Sequence, residues 1–230
     1  MSPYVGKNTA SLQSGLMTRV FSWMFAGLSL TGIISFLLVS DPDQKVIHYF
    51  EQNMMVFYGL VIFEFVLVFF LAARVHKMAV PTATFIFFLY ATLNGVTLTP
   101  LLAIYTSLSI ASVFFITAGM FGIFAVYGAV TKRDLSKLGS ILLMGVIGLI
   151  LASVVNLFMN STTLYWIISY AGVLLFCGLT AYDIQKIKRM QEMQMDEDSH
   201  AKAAIMGALA LYLDFINLFI FLLRILGNRD

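Results

Sequence analysis

Charged residues are scarce in this sequence, and most of them lie outside its long apolar runs. Only 11% of the 230 residues are charged, whereas 60% are apolar. A soluble domain has roughly 25% charged and 45–50% apolar residues. A water-soluble core of this size cannot bury so much apolar surface, but lipid can cover it. The composition therefore excludes a soluble domain and predicts an integral membrane protein.

Cysteine, histidine and net charge are also low, and each shortage excludes a class of function. Cys177 is the only cysteine, which rules out an intramolecular disulfide and a cysteine-based metal cluster. The three histidines, His48, His76 and His200, all lie outside the apolar runs. A net charge of +2 is too small to indicate a nucleic-acid partner.

The apolar residues fall into seven runs, each close to the roughly 20 residues that a helix needs to cross a bilayer. The runs are Met17–Val39, Met54–Ala73, Thr82–Ile104, Leu108–Val130, Leu138–Met159, Leu164–Ile187 and Ala203–Leu226. We therefore predict an all-α membrane domain over residues 17–226, between a cytoplasmic tail (1–16) and a short C-terminal tail (227–230). The charged segment from Lys186 to Lys202 is predicted to be the longest loop.

The third run contains residues that disturb helices. Asn94, Gly95 and Pro100 predict that this span is kinked or partly unwound.

Lysine and arginine are distributed unequally between the two sides of the predicted bundle. Eleven lie on the side of the N-terminus: Lys7, Arg19, Arg74, Lys77, Lys132, Arg133, Lys137, Lys186, Lys188, Arg189 and Lys202. Lys45, Arg224 and Arg229 lie on the other side. Because cytoplasmic loops are enriched in these residues, the bias predicts a cytoplasmic N-terminus and an external C-terminus.

Three acidic residues lie inside predicted spans: Glu64 in the second, Asp183 in the sixth and Asp214 in the seventh. A carboxylate near the bilayer centre costs roughly 2.5–3.5 kcal/mol or more, so such residues are rare without a role. Lys186, at the end of the sixth run, is the only lysine or histidine within the runs, so none lies deep in a span to neutralise them. They either serve function or join helices through hydrogen bonds of a protonated acid.

Asp214 lies on one stripe of the seventh span, in which residues recur at spacings of three and four. The stripe consists of Ala203, Gly207, Ala210, Asp214, Asn217, Phe221 and Arg224. Its small residues either let another helix pack closely or leave a narrow aqueous path to the carboxylate. Asp214 and Asn217 on the same stripe favour the path.

Arg74 ends the second span, about 15 Å along the helix from Glu64, which is too far for direct pairing. It either meets Asp183, which also lies near the cytoplasmic end of its helix, or snorkels to lipid headgroups.

The depths of the two aspartates are a separate question. Asp183 is close to Lys186, whereas Asp214 is far from Lys202. They meet only if the sixth helix continues past Lys186 or the seventh begins in the cytosol.

Four motifs give the chain a resemblance to a known family. They are Asn94-Gly-Val-Thr-Leu, Thr131-Lys-Arg-Asp-Leu-Ser-Lys-Leu-Gly, Gly178-Leu-Thr-Ala-Tyr-Asp-Ile-Gln and Ala210-Leu-Tyr-Leu-Asp-Phe-Ile-Asn-Leu-Phe. The sequence resembles the transmembrane Bax-inhibitor-motif family, of which Bax inhibitor-1 is the namesake, from the first span to the last. Its short N-terminal tail resembles that of the bacterial members.

The resemblance implies a fold in which the seventh helix is central and surrounded by the other six. It implies a Ca²⁺ leak controlled by pH, with Asp183 and Asp214 as a di-aspartyl sensor that binds protons and Ca²⁺. Arg74 would pair with Asp183 in one state, and Glu64 would be the acid of the second helix. Two neighbouring carboxylates share a proton and titrate as a pair, and their oxygens suit Ca²⁺, although further ligands must complete its shell.

Other functions use the same residues. An H⁺-coupled cation exchanger is one alternative, and a non-transporting regulator of a membrane protease or of a cell-death partner is another. An intramembrane aspartyl protease requires Gly-x-Gly-Asp where this chain has Leu211-Tyr-Leu-Asp. We therefore expect no enzymatic activity. We also expect no organic cofactor, and we expect lipid, Ca²⁺ and protons as partners. The expected location is a bacterial cytoplasmic membrane.

Overall fold

The computed structural model describes residues 15–193 and 195–229. Their helices are α1 (Leu16–Val39), α2 (Lys45–Gln52), α3 (Met54–Arg74), α4 (Val80–Leu102), α5 (Ser107–Val130), α6 (Ser136–Met159), α7 (Thr162–Gln191) and α8 (Glu197–Leu226), with a 3-10 turn at Val75–Lys77. Most of the predicted N-terminal tail and the last residue of the C-terminal tail lie outside the described residues.

All seven predicted spans are confirmed as helices long and apolar enough to cross a membrane. They are α1 and α3–α8, and α2 is an additional short helix between the first two predicted spans. Ile47 and Phe50 of α2 are buried, whereas Lys45 and Glu51 are exposed, so this helix is amphipathic. Its eight residues are too few to span a bilayer.

The predicted long loop between Lys186 and Lys202 is wrong, because both flanking helices extend into it. α7 continues to Gln191 and α8 begins at Glu197. Each has 30 residues, or about 45 Å, against a hydrocarbon core of about 30 Å. Acidic residues fill the first turn of α8 and basic residues the last turn of α7, which suits the helix dipoles. The charged residues therefore mark the ends of the apolar runs but not the ends of the two helices.

The described residues divide into two compact units: 15–105 with 191–193 and 195–212, and 106–190 with 213–229. In the first unit, α1 and α4 pack closely. A Cβ on Gly95 of α4 would lie 2.9 Å from the carbonyl oxygen of Thr31, and Ser35 donates a 2.7 Å hydrogen bond to the Gly95 carbonyl. α4 is helical throughout, including Pro100 in its last turn, so the predicted unwinding is wrong, whereas the alternative of a kink stays a prediction.

In the second unit, α5 approaches α7 at Gly128, where a Cβ would overlap the carbonyl oxygen of Ala181. Phe215 of α8 packs edge-on against Phe114 and Phe121 of α5, with ring centroids 5.5 and 5.6 Å apart. These contacts gather α5, α7 and the second half of α8 around the region of Asp183.

The spans differ greatly in burial. In its most apolar stretch, 72% of α8 is buried within the protein, compared with none of α6 and at most half of any other span. α6 therefore presents its surface to lipid, whereas α8 is largely covered by protein. The central position of the seventh span, with the other six around it, stays a prediction.

Candidate functional site

The aspartates of the last two helices, Asp183 on α7 and Asp214 on α8, lie side by side. Their carboxyl groups are in side-chain hydrogen-bonding contact. Asp214 is 3% exposed and Asp183 is half-buried. Ionised carboxylates only accept hydrogen bonds, and Oδ2 of Asp214 has no donor among the described residues. A hydrogen bond between the two acids therefore requires a proton on one of them.

The extensions of α7 and α8 bear on the question of depth that the sequence left open. α7 continues past Lys186, and α8 begins before Lys202, so neither lysine marks the end of its helix. The condition that α7 continues past Lys186 is thus fulfilled, whereas a cytosolic start of α8 stays a prediction. The contact between the carboxyl groups places them at the same level of the second unit.

The aspartate pair has two further neighbours, Lys186, which the sequence already places near Asp183, and Cys177, which was not predicted. Lys186, one turn after Asp183 on the same helix, is exposed, and its charge acts on the Asp183 carboxyl group. The thiol of Cys177 is buried and lies within electrostatic range of Asp214. The spacing of three residues already places Lys186 beside Asp183. No local pattern relates Cys177 to Asp214, because the two residues lie on different helices.

The last turns of α7 are fixed by hydrogen bonds to the loop between α5 and α6. Gln185 accepts from the Leu135 N–H and donates to the Arg133 carbonyl, both at 2.8 Å. Lys188 donates to the Ala129 carbonyl at 2.7 Å. Gln185 belongs to the same sequence motif as Asp183, so the motif includes both an acid and the amide that anchors its helix.

Arg189 completes this attachment through an ion pair with Asp134 in the same loop. The hydrogen bond from Arg189, with a second from the Ser136 N–H, lowers the pKa of Asp134 to about 2. Both side chains are solvent-exposed, so the pair adds little stability. It does attach Arg189, one of the basic residues on the side of the N-terminus, to this loop.

Glu64, the third intramembrane acid, is 7% exposed in α3 and has a different environment. Thr97 donates to its Oε1 at 2.7 Å and Asn94 donates to its Oε2 at 3.3 Å, both from α4. Each carboxyl oxygen therefore has a neutral donor. This arrangement supports the structural alternative, in which Glu64 joins two helices.

The hydrogen-bond chain continues from Asn94 to two further helices of the first unit. The Tyr212 hydroxyl of α8 donates to Oδ1 of Asn94 at 3.1 Å, and Oγ1 of Thr31 in α1 lies 2.7 Å from that hydroxyl. Tyr212 and Thr31 are both buried. Sequence reasoning missed them, because neither is charged and each fits an ordinary membrane helix.

The remaining candidate residues make fewer interactions in the described part of the chain. Arg74 is exposed and has no ion-pair partner among the described residues of the first unit, and its pairing with Asp183 stays a prediction. Asn217 donates to the Leu213 carbonyl one turn earlier at 2.8 Å. Gly207 is buried, whereas Ala203 and Ala210 are half-buried. The small residues of the stripe are thus partly exposed. This exposure is compatible with close helix packing and with an aqueous path.

The described residues contain no group of three or more His, Cys, Asp or Glu side chains able to hold a metal ion. The aspartate pair offers oxygen ligands from two side chains, whereas Ca²⁺ takes six to eight oxygens. Any Ca²⁺ at the pair would need water or backbone carbonyls for most of its shell, which favours weak, transient binding.

Comparison with known proteins agrees with the motifs. The family model described as "Inhibitor of apoptosis-promoting Bax1" matches residues 13–230. The chain is 45% identical to the inner membrane protein YbhL of Escherichia coli over 222 residues, covering 96% of this chain and 94% of the relative. It is 41% identical to an uncharacterized protein of Borreliella burgdorferi over 224 residues, covering 97% and 96%.

A more distant relative is an uncharacterized protein of Deinococcus radiodurans, 39% identical over 214 residues that cover 93% of this chain and 90% of the relative. In each comparison nearly the whole of both chains is matched, so the similarity extends through all seven spans. The chain therefore belongs to the Bax inhibitor-1 family of multi-pass integral membrane proteins, and it is a member of the bacterial type.

Proposed function

We propose that this protein is a pH-sensitive calcium leak channel whose proton and Ca²⁺ sensor is the pair Asp183 and Asp214. The observation that supports the proposal is the contact of two carboxyl groups inside the membrane-spanning helices, with Oδ2 of Asp214 lacking a donor among the described residues. Such a pair is stable with one shared proton and unstable when both groups are ionised.

The pair gives pH a direct effect on the contact between α7 and α8. With a proton present, the two carboxyl groups bind each other and hold the helices together. When the proton leaves, two negative charges repel each other in a poorly hydrated site, and water or a cation must enter to compensate them. Ca²⁺ is the cargo that suits these oxygens, and protons compete with it for the same groups.

We further propose that the protein resides in a bacterial cytoplasmic membrane with its N-terminus in the cytoplasm. The name of the Escherichia coli relative, an inner membrane protein, and the excess of Lys and Arg on one side support this. Reporter proteins fused to the C-terminus should be active outside the cytoplasm. A cytoplasmic signal from that fusion would contradict the proposed orientation.

The decisive experiment is Ca²⁺ flux into vesicles that contain the purified protein, measured as a function of pH. Asp183→Asn and Asp214→Asn each remove one ionisable group with little change in shape, so each should abolish most of the pH dependence. The double variant should resemble either single one, because the pair acts as a unit. Asp134→Asn, a matched change outside the membrane, should leave the pH profile unchanged.

If both single variants keep the wild-type pH profile, the aspartates only join helices, and the proposed sensing mechanism is wrong. The direction of flux separates the proposal from the exchanger alternative. A leak channel passes Ca²⁺ only down its gradient, whereas accumulation of Ca²⁺ against its gradient, driven by a proton gradient, would identify an exchanger. Neither activity involves catalytic chemistry.

Cys177 provides an internal reporter for water entry, because it is the only cysteine and is 3% exposed close to Asp214. A small hydrophilic thiol reagent should label it slowly when the pair shares a proton and faster after the proton leaves. The rates must be divided by those of a free thiol at each pH. A corrected rate that does not change with pH would mean that water does not reach the pair.

A further inference from the structure

A polar cavity lies where α6 ends, α7 begins and α8 ends. Its volume is about 480 Å³, within the range of roughly 300–1,000 Å³ that ligand sites occupy. Two arginines and four short polar residues line it: Arg224, Arg229, Asn156, Asn160, Ser161 and Thr162. No Asp or Glu occurs among the lining residues that the structure describes. The cavity is therefore cationic and rich in hydrogen-bond donors.

Arg224 is held in place by aromatic rings. Its Cζ lies 5.3 Å from the ring centroid of Phe221 and 5.7 Å from that of Tyr165. Stacking engages the faces of a guanidinium and leaves its N–H edge available. Within the described part of the chain, this guanidinium forms no hydrogen bond or ion pair. Arg224 is thus an oriented cation whose donors have no protein acceptor there.

The rest of the lining is fixed by short-range contacts. Nη2 of Arg229 donates to the Tyr165 hydroxyl at 3.1 Å, so one tyrosine contacts both arginines. Asn160 adopts a left-handed conformation, with φ of 47°, that asparagine tolerates, and it reverses the chain between α6 and α7. Oδ1 of Asn156 accepts from the Ser161 N–H at 3.0 Å, which leaves the Asn156 amide nitrogen as a donor.

The aromatic residues beside the cavity indicate its depth. Trp166, which lines the cavity, stacks on Tyr170 with ring centroids 6.0 Å apart, and the two are 39% and 55% exposed. Exposed Trp and Tyr at helix ends are typical of the membrane–water interface. Lipid phosphates lie at that depth. The arginines also belong to the side with few positive residues, so the general charge bias does not account for them.

We propose that this cavity binds the phosphate group of an anionic phospholipid headgroup. Arg224 would donate a bidentate pair of hydrogen bonds to the phosphate oxygens, and Asn156 with the hydroxyls of the turn would bind the remainder of the headgroup. Inorganic phosphate shares the same chemistry, and the experiment distinguishes the two sources. The site is independent of the aspartate pair.

Trp166 makes the binding measurable in the full-length protein in nonionic detergent. The chain has two tryptophans, so Trp23→Phe leaves Trp166 as the only one. In that background, short-chain phosphatidylglycerol should change the emission of Trp166 saturably, and added salt should weaken the effect. Short-chain phosphatidylcholine and inorganic phosphate at the same concentrations should produce much smaller changes.

Arg224→Ala should weaken phosphatidylglycerol binding about tenfold or more, because it removes charge-assisted hydrogen bonds. Arg224→Lys should retain part of the affinity, since it keeps the charge without the planar fork. Lys45→Ala is the matched control. It removes a positive charge from the same predicted side, where Lys45 is paired with Asp43 at 3.0 Å, and it should bind as wild type does.

Three results would overturn the proposal. Equal affinity for phosphatidylcholine would show that the acyl chains bind, and equal affinity for inorganic phosphate would show that the lipid is not required. Equal losses in Arg224→Ala and Lys45→Ala would show that only the general surface charge matters. If Arg224→Ala fails to fold by circular dichroism and gel filtration, Arg224→Lys decides the question with the same controls.

Discussion

The membrane domain buries carboxyl groups in two contrasting ways. In the first unit, both oxygens of Glu64 accept hydrogen bonds from the neutral side chains of Thr97 and Asn94. In the second unit, Asp183 and Asp214 face each other, and an oxygen of Asp214 lacks a donor among the described residues. The neighbours of Glu64 satisfy its hydrogen bonds without any change in the number of bound protons. The two aspartates instead require a proton, which the solvent must supply.

The difference shows why an acid in a membrane span does not by itself identify a functional site. All three acids are equally unexpected in apolar helices by transfer energy alone. Their partners separate them: amide and hydroxyl donors stabilise a fixed structure, and a second carboxyl group creates a site whose charge changes with pH. We therefore expect pH dependence in the second unit and a structural role in the first.

The largest expected effect tests this contrast directly. Glu64→Gln keeps a hydrogen-bonding side chain of the same shape and should leave the pH profile of Ca²⁺ flux close to that of wild type. Asp214→Asn, an equivalent acid-to-amide change, should flatten the profile. Both variants would be measured in the same vesicle assay. Flattening by Glu64→Gln would place Glu64 in the sensor and remove the distinction between the units.

The next effect concerns the backbone contact that supports the aspartate pair. A methyl group on Gly128 would overlap the Ala181 carbonyl oxygen, so Gly128→Ala must separate α5 from α7. We expect it to lower stability by about 1–3 kcal/mol or more. Gly122→Ala in the same helix meets no atom within 4 Å and should be neutral or stabilising. Thermal unfolding in detergent would compare them, and equal midpoints would contradict the close approach.

A smaller effect is expected from the hydrogen-bond chain of the first unit. Tyr212→Phe removes the hydroxyl that lies between Thr31 and Asn94 and leaves the buried Asn94 oxygen without that donor. The expected loss of stability is about 1–3 kcal/mol. Tyr58→Phe, at a residue that is 49% exposed, should have almost no effect. If Tyr212→Phe unfolds at the wild-type temperature, the chain of hydrogen bonds contributes little.

The smallest effect lies outside the membrane, at the ion pair of Asp134 and Arg189. The pKa of Asp134 is lowered to about 2, so its stabilising contribution is present above the usual pKa of an aspartate and is lost as the pH falls toward 2. Asp134→Asn should remove this acid-dependent component and change little at neutral pH. Hydrogen exchange of the loop between α5 and α6, measured across that range, would detect it. Identical pH dependence in the variant would assign the effect to another group.

Much of this architecture could be predicted from the sequence because the bilayer fixes the length of apolar runs. The seven spans, the candidate acids and the motif that contains Asp183 and Gln185 all follow from residue types along the chain. The end of α7 and the start of α8 could not be predicted in this way. Charged residues interrupt an apolar run, but they also support a helix in water. Glu64 was correctly singled out, but its partners on α4 lie 30 and 33 residues away in sequence.

The sequence by itself therefore determined the membrane class, the number of spans and the three acids whose burial needs an explanation. Only the tertiary structure decided that Asp183 meets Asp214, that Glu64 is satisfied by Thr97 and Asn94, and that two arginines converge on one cavity. The physical reason is that hydropathy and helical periodicity are properties of neighbouring residues. The environment of a buried charge depends on how separate helices are staggered and rotated, and small residues such as Gly95 and Gly128 set how closely those helices approach.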